Sequence, residues 1–123
     1  MHSFGLVKNF TAEGDIPKRR LVTHGTSEGH VMLASVGSRI LGTTGIAGAM
    51  MGERVDVCLD SVREVEYGGD IAFDDLLTSD AEGRAIKADP AANTHVYVIG
   101  TAMCSGGVGA IGNVLIRPFE LAG

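Results

Sequence analysis

The sequence predicts a small all-β domain, and three observations carry that prediction. In residues 55–60, VDVCLD, apolar side chains alternate with carboxylates and a cysteine, which gives a strand one core face and one solvent face. Eighteen glycines among 123 residues lie between short apolar runs without a repeating period, as turns between short strands do. No segment shows the sustained 3.6-residue periodicity of an amphipathic helix.

The individual strands follow from runs of β-type residues separated by polar or glycine-rich turns. After Ile16-Pro17 these runs lie at 20–23, 30–34, 39–43, 55–59, 62–67, 76–78, 84–86, 95–103 and 113–117. The turns at 24–29 and 80–83 predict hairpins, and Gly83 supplies the positive φ that such a turn needs. Pro118 has no N–H to donate to a ladder, so the last strand is expected to end there. Residues 71–78 leave room for one short helical turn.

The N-terminal segment is predicted to be an extended arm, residues 1–15, that precedes a single β domain at residues 16–123. It contains Phe4, Leu6, Val7 and Phe10 without a clean period. Terminal segments are loose unless they are tied down, and apolar side chains are costly to expose. The arm is therefore expected to dock on its own core or on a neighbouring subunit, with disorder as the remaining alternative.

A second apolar segment, residues 45–52 (GIAGAMMG), is also left unexplained by the strands. Its glycines disfavour a helix, each costing up to about 1 kcal/mol relative to alanine. As a loop it would expose Ile46, Met50 and Met51 in a monomer, which is typical of an interface. The alternative is a loop that folds back over the open end of its own barrel.

Charge excludes one class of partner. The net charge is −5, and ten of the fifteen acidic residues lie between Glu53 and Glu82. An acidic surface repels phosphate, so no nucleic-acid contact is expected, and the short basic run at residues 18–20 is interpreted as a solvated strand entrance. No stretch reaches 18 apolar residues and no leader pattern begins the chain, so neither a membrane contact nor export is expected.

The sequence offers no pattern typical of a catalytic, cofactor or metal site. Cys58 and Cys104 lie 46 positions apart without a C-x-x-C motif, and the four histidines form no metal-binding spacing. The carboxylates of residues 70–82 match no calcium loop. Residues 107–112, GVGAIG, fit G-x-G-x-x-G, but a strand follows where the dinucleotide fingerprint requires a helix. We therefore expect a protein that is not an enzyme.

Several motifs in order carry a resemblance: LVKNFTAE from Leu6, EVEYGGD from Glu64, DLLTSDAEGRAIKA from Asp75, and a closing pair around VIGTA and VLIRP. This series resembles the small head-decoration, or cement, proteins of tailed bacteriophages. The resemblance implies a small antiparallel β-barrel or β-tulip-like fold. It also implies trimers at three-fold and quasi-three-fold positions on the outside of the expanded head, where they bind the major capsid protein and stabilise the shell against DNA pressure.

The resemblance further implies a location on the outer surface of the virion, after synthesis in the host cytoplasm. The apolar residues that the strands leave unexplained are then the expected capsid or trimer contacts: Phe4, Leu6, Val7, Phe10, Ile46, Met50 and Met51. Two alternatives stay open. One is a ligand-binding or enzymatic β-barrel with the glycine loop 106–112 at its mouth, and the other is a different structural virion subunit, such as a tail or head-completion protein.

Overall fold

The computed structural model describes residues 5–123, and every regular element among them is a strand. No helix in this range is long and apolar enough to cross a membrane. The prediction of a small all-β fold is confirmed. The ten strands are β1 (Val7–Ala12), β2 (Leu21–His24), β3 (His30–Leu33), β4 (Gly42–Thr43), β5 (Arg54–Cys58), β6 (Ser61–Glu66), β7 (Leu76–Ser79), β8 (Ala85–Lys87), β9 (His95–Ala102) and β10 (Ile111–Ala122).

The first five strands form a closed barrel in the order β1-β3-β2-β4-β5, with β5 returning to pair with β1. The alternation predicted for β5 explains its orientation, since Val55 and Val57 point inward and are buried whereas Asp56 is exposed. The barrel interior is filled by seven apolar side chains, those of Phe10, Ala12, Ile16, Val22, Val31, Val55 and Val57.

The segment expected to be an N-terminal arm contributes strand β1. It pairs antiparallel with β5 over five residues and parallel with β3 at Thr11 and Ala12. Phe10 and Ala12 face the barrel interior while Val7 stays exposed, which is why the segment shows no clean apolar period. Residues 7–12 are therefore part of the barrel rather than an arm attached to it. Phe4 lies outside the described residues.

The other five strands form a second sheet in the order β6-β10-β9-β7-β8. The sheet curls, because Tyr67, directly after β6, bridges to Ala85 of β8 on the far edge. The hairpin predicted at 80–83 joins β7 to β8, and Gly83 has φ of 73°. Residues 71–75 form a bridge and a turn instead of a helical turn.

Strand β10 is longer than predicted. It continues through Pro118 to Ala122, and its register against β9 shifts between Ile116 and Phe119. A bulge is one of the few places in a sheet where a residue without an N–H is tolerated. The expectation that Pro118 ends the strand was therefore wrong.

The two sheets are joined through the β7–β8 hairpin. The N–H of Leu21 in β2 donates to the carbonyl of Gly83 at 2.7 Å, and Leu21 packs among the core residues of the second sheet. Arg20 adds an ion pair to Glu66 at 3.2 Å. This junction fixes the edge of β6 relative to the outer wall of the barrel.

Candidate interaction surface

A surface groove of about 540 Å³ runs between the outer wall of the barrel and strand β6. One side is formed by the outward residues of β1 and β5, and the other by residues 62–64 of β6. The loop of residues 44–48 closes one end. Because β5 continues into β6 after only two residues, the chain itself holds these two walls side by side.

Three large apolar side chains surround the groove. Val7 is 43% exposed, Val62 is 51% exposed and Ile46 is 80% exposed. Side chains of this kind in contiguous positions are typical of a contact surface. The structure therefore brings together two of the residues that the sequence predicts as contacts, Val7 and Ile46, from segments 39 positions apart.

The remaining predicted contact residues lie in different places. Leu6 is exposed directly before β1, and its carbonyl accepts from the Leu59 N–H at 2.8 Å. Met50 and Met51 are exposed on the far part of the 44–53 loop, where Met50 lines a neighbouring hollow with residues 15–17. Phe10 is different, since its side chain is only 4% exposed inside the barrel and is not available to a partner.

Polar groups in the groove are largely satisfied within the protein. Asn9 donates to Asp56 at 3.0 Å, Arg54 donates to the hydroxyl of Thr11 at 2.9 Å, and Glu64 pairs with Arg19 at 3.0 Å. The lining carries both signs of charge, so it does not select a strongly charged ligand.

Cys58 lines the same groove with a buried thiol. Burial raises the pKa of the Cys58 thiol; the guanidinium of Arg63 opposes this shift, and the carboxylates of Asp56 and Asp60 add to it. The neutral thiol is a poor nucleophile and a poor metal ligand. Within residues 5–123, no group of three or more His, Cys, Asp or Glu side chains is placed to hold a metal ion.

The glycine loop does not line the groove. It connects β9 to β10 in the second sheet, as the sequence predicts, and its glycines allow the backbone to approach the buried ring of Tyr67. A Cβ added at Gly106 would lie 3.0 Å from that ring, and one added at Gly112 would overlap it. Packing against Tyr67 therefore explains the glycines of this motif.

Val62 lines the groove but was not among the contact residues expected from the sequence. The signal for it is a change of phase: Val62 and Val65 are three positions apart, so they cannot share a face of one strand. Val65 is fully buried and Val62 is exposed, with Ser61 at φ of 70° where β6 begins.

No protein-family profile matches the chain, and no curated protein is significantly similar to it in sequence. A solved structure similar to this fold is the crystal structure of the N base of the head fiber gp8.5 in bacteriophage phi29. The TM-score is 0.71 with 18% sequence identity, and the match covers 91% of this chain and 93% of that chain. At this level of identity the likeness establishes a shared fold across nearly the whole chain.

Proposed function

We propose that this chain is a structural protein of a phage head that binds the outside of the expanded shell as a decoration protein. The observation that supports the proposal is the fold shared with the base of a phage head fiber over more than nine-tenths of both chains. The series of motifs that resembles head-decoration proteins points in the same direction. The partner is the major capsid protein, and the functional unit is a trimer at three-fold and quasi-three-fold positions.

The role proposed for the bound protein is mechanical and not enzymatic. A shell packed with DNA is under outward pressure, and a trimer that spans neighbouring subunits adds contact area that must be broken before they separate. Stable protein contacts bury about 1,200–2,000 Å² in total, and several linked contacts bind far more tightly than one. The groove rim of Val7, Ile46 and Val62 supplies apolar area for such a contact.

The test is co-sedimentation of the purified protein with expanded shells of a related tailed phage from which decoration has been stripped. Unexpanded procapsids serve as the control. Saturable binding to expanded shells alone supports the proposal and shows that maturation creates the site. Absence of binding to either shell contradicts it.

A variant pair relates this test to the groove. Ile46→Asp places a charge on the rim and is expected to weaken binding at least about tenfold, as loss of a central apolar contact does. Val36→Asp is the matched control, because Val36 is similarly exposed, at 72%, but does not line the groove. Equal loss in both variants, or loss in neither, removes the groove from the interface.

A second candidate function is the anchoring base of a head appendage, because the similar structure is itself a fiber base. In this role the chain would attach to the head without reinforcing it. Heating decorated and undecorated shells distinguishes the two roles: a decoration protein raises the temperature at which the shell ruptures, whereas an anchoring base binds and leaves that temperature unchanged.

The alternative of a ligand-binding barrel has less support. Seven apolar side chains fill the barrel interior, and the glycine loop belongs to the other sheet.

A further inference from the structure

Strand β6 directs the backbone groups of Val62 and Glu64 toward the groove, and these groups have no partner within residues 5–123. In its antiparallel ladder with β10, Ser61, Arg63 and Val65 direct their N–H and C=O groups toward β10. The phase is fixed at the end of the strand, where the Tyr67 N–H donates to the carbonyl of Ala110, directly before β10, while the Glu66 N–H donates outward to the carbonyl of Arg19.

By the same alternation Val62 and Glu64 direct their backbone groups outward, away from β10. Both residues line the groove, both are exposed, and no bond from their backbone groups to a residue in the described range is found. Two N–H donors and two C=O acceptors therefore face the groove.

Other edges of the second sheet are protected. The edge of β8 is only three residues long and is covered by Tyr67, with the Gly68 N–H donating to Ala85 at 2.8 Å. The part of β10 that extends beyond β6 carries Pro118, which has no N–H. Proteins use short edges and proline to prevent unwanted pairing. Residues 62–64 are neither shortened nor interrupted by proline; Arg63 and Glu64 are charged, and the Glu64 carboxylate is held in an ion pair with Arg19.

The groove fits one extended segment of polypeptide. An added strand lies about 4.8 Å from its neighbour and advances about 3.3 Å per residue, so residues 62–64 offer pairing to three or four residues of a partner. The backbone of the partner segment would form hydrogen bonds with the four outward N–H and C=O groups of Val62 and Glu64. A side chain directed toward the groove rim would contact the exposed apolar groups of Val62 and Ile46.

We infer that the edge at residues 62–64 binds an extended segment of the head-shell subunit as an added β-strand. The inference rests on the proposed function and specifies its contact. A second copy of this chain is the poorer donor, because the edge of its own β6 lies in the same groove beside its barrel wall, and its other strands are held in the barrel or the second sheet. The edge of β6 would recognise the backbone of the partner segment together with one apolar side chain. In this mode of binding, main-chain hydrogen bonds supply affinity and side-chain pockets supply specificity.

The first test is hydrogen exchange in residues 61–66, for the free protein over a range of concentrations and for the protein bound to expanded shells. In the free protein the amides of Val62 and Glu64 exchange fast, and those of Arg63 and Val65 exchange slowly. On the shell both fast amides should slow by at least about tenfold, as newly bonded amides do.

The outcomes separate the inference from the proposed function. Attachment without added protection at these two amides overturns the inference and leaves a head-binding role standing. Protection that appears with rising concentration in the absence of shells identifies a second copy as the occupant, which also overturns it. Failure to attach at all removes the proposed function and this contact with it.

The second test is a pair of variants at one position. Glu64→Pro removes an outward N–H that β10 does not use, whereas Glu64→Thr keeps it, and both lose the ion pair to Arg19. The proline variant should bind shells about tenfold more weakly than the threonine variant, since it lacks one hydrogen bond and crowds the added strand. Thermal unfolding of both variants checks the fold. Equal binding by two folded variants overturns the inference.

Discussion

Replacing Tyr67 with phenylalanine should destabilise the fold by a predictable amount. Tyr67 is fully buried, and its hydroxyl donates to the carbonyl of Cys104 at 2.8 Å. Removal of the hydroxyl leaves this carbonyl without that donor, which costs about 1–3 kcal/mol. With an unfolding entropy of roughly 2.1 cal/mol/K per residue over the chain, a loss of about 1.5 kcal/mol lowers Tm by about 6 °C.

The pH dependence of the same variant provides an independent check. Burial raises the pKa of Tyr67 far above its usual value near 10, and the hydrogen bond to Cys104 acts in the same direction. The unfolded chain therefore loses the phenolic proton first, and wild-type stability falls as the pH rises above about 10. The phenylalanine variant lacks this contribution, so the difference in stability should shrink between pH 9 and about 11.

Urea unfolding of both proteins at a series of pH values measures the two effects together. Tyr97, the other tyrosine, is present in both proteins and its contribution cancels in the comparison. Two results would refute the reasoning: a Tm within about 2 °C of wild type at neutral pH, or a stability difference that stays constant into the alkaline range. Either would mean that the hydroxyl is satisfied by water and not by Cys104.

Two further predictions concern turns. Glu13 accepts a hydrogen bond from the hydroxyl of Thr26 at 2.7 Å, and this bond lowers the pKa of the Glu13 carboxyl. The 24–29 turn should therefore stay ordered above about pH 4.5 and loosen as the pH falls through the lowered pKa. The Thr26 amide signal in NMR spectra reports the change, and a signal that stays constant down to about pH 2 contradicts the prediction. Gly83→Ala combines left-handed backbone strain with a clash against Leu33, whereas Gly109→Ala introduces only the strain. Both substitutions should lower Tm, Gly83→Ala by roughly twice as much as Gly109→Ala. Equal Tm values for the two variants would show that the clash relaxes freely.

Local patterns predicted the strands whose faces differ in polarity. Strand β5 could be placed from its alternation alone, because an inward valine at every second position is incompatible with a helix. The hairpin at 80–83 was equally clear, since Gly83 and its polar neighbours have a single structural explanation. The end of β10 could not be predicted in this way, because a proline that would end a regular strand can also be accommodated at a β-bulge.

The role of residues 7–12 could not be predicted locally. Val7 pairs with Cys58 and Thr11 with Arg54, across 51 and 43 positions of sequence. Such a pairing is visible only when barrel closure is known, since β1 presents just two buried apolar residues, Phe10 and Ala12. The same lack of local signal made Phe10 look like a surface contact, although its ring belongs to the barrel core.

The groove brings together exposed apolar side chains that the fold itself does not use. Val7, Ile46 and Val62 come from three segments, and none of them is needed by either core cluster. A sequence that keeps an apolar side chain where the core does not need it retains an aggregation hazard unless a partner covers it. The outward backbone groups of Val62 and Glu64, which have no partner within residues 5–123, add a second hazard at the same place. A charged residue in place of Val62 would remove the apolar hazard, and a proline at position 64 would remove one outward N–H. The coincidence of both hazards in one groove favours a binding surface over incomplete packing.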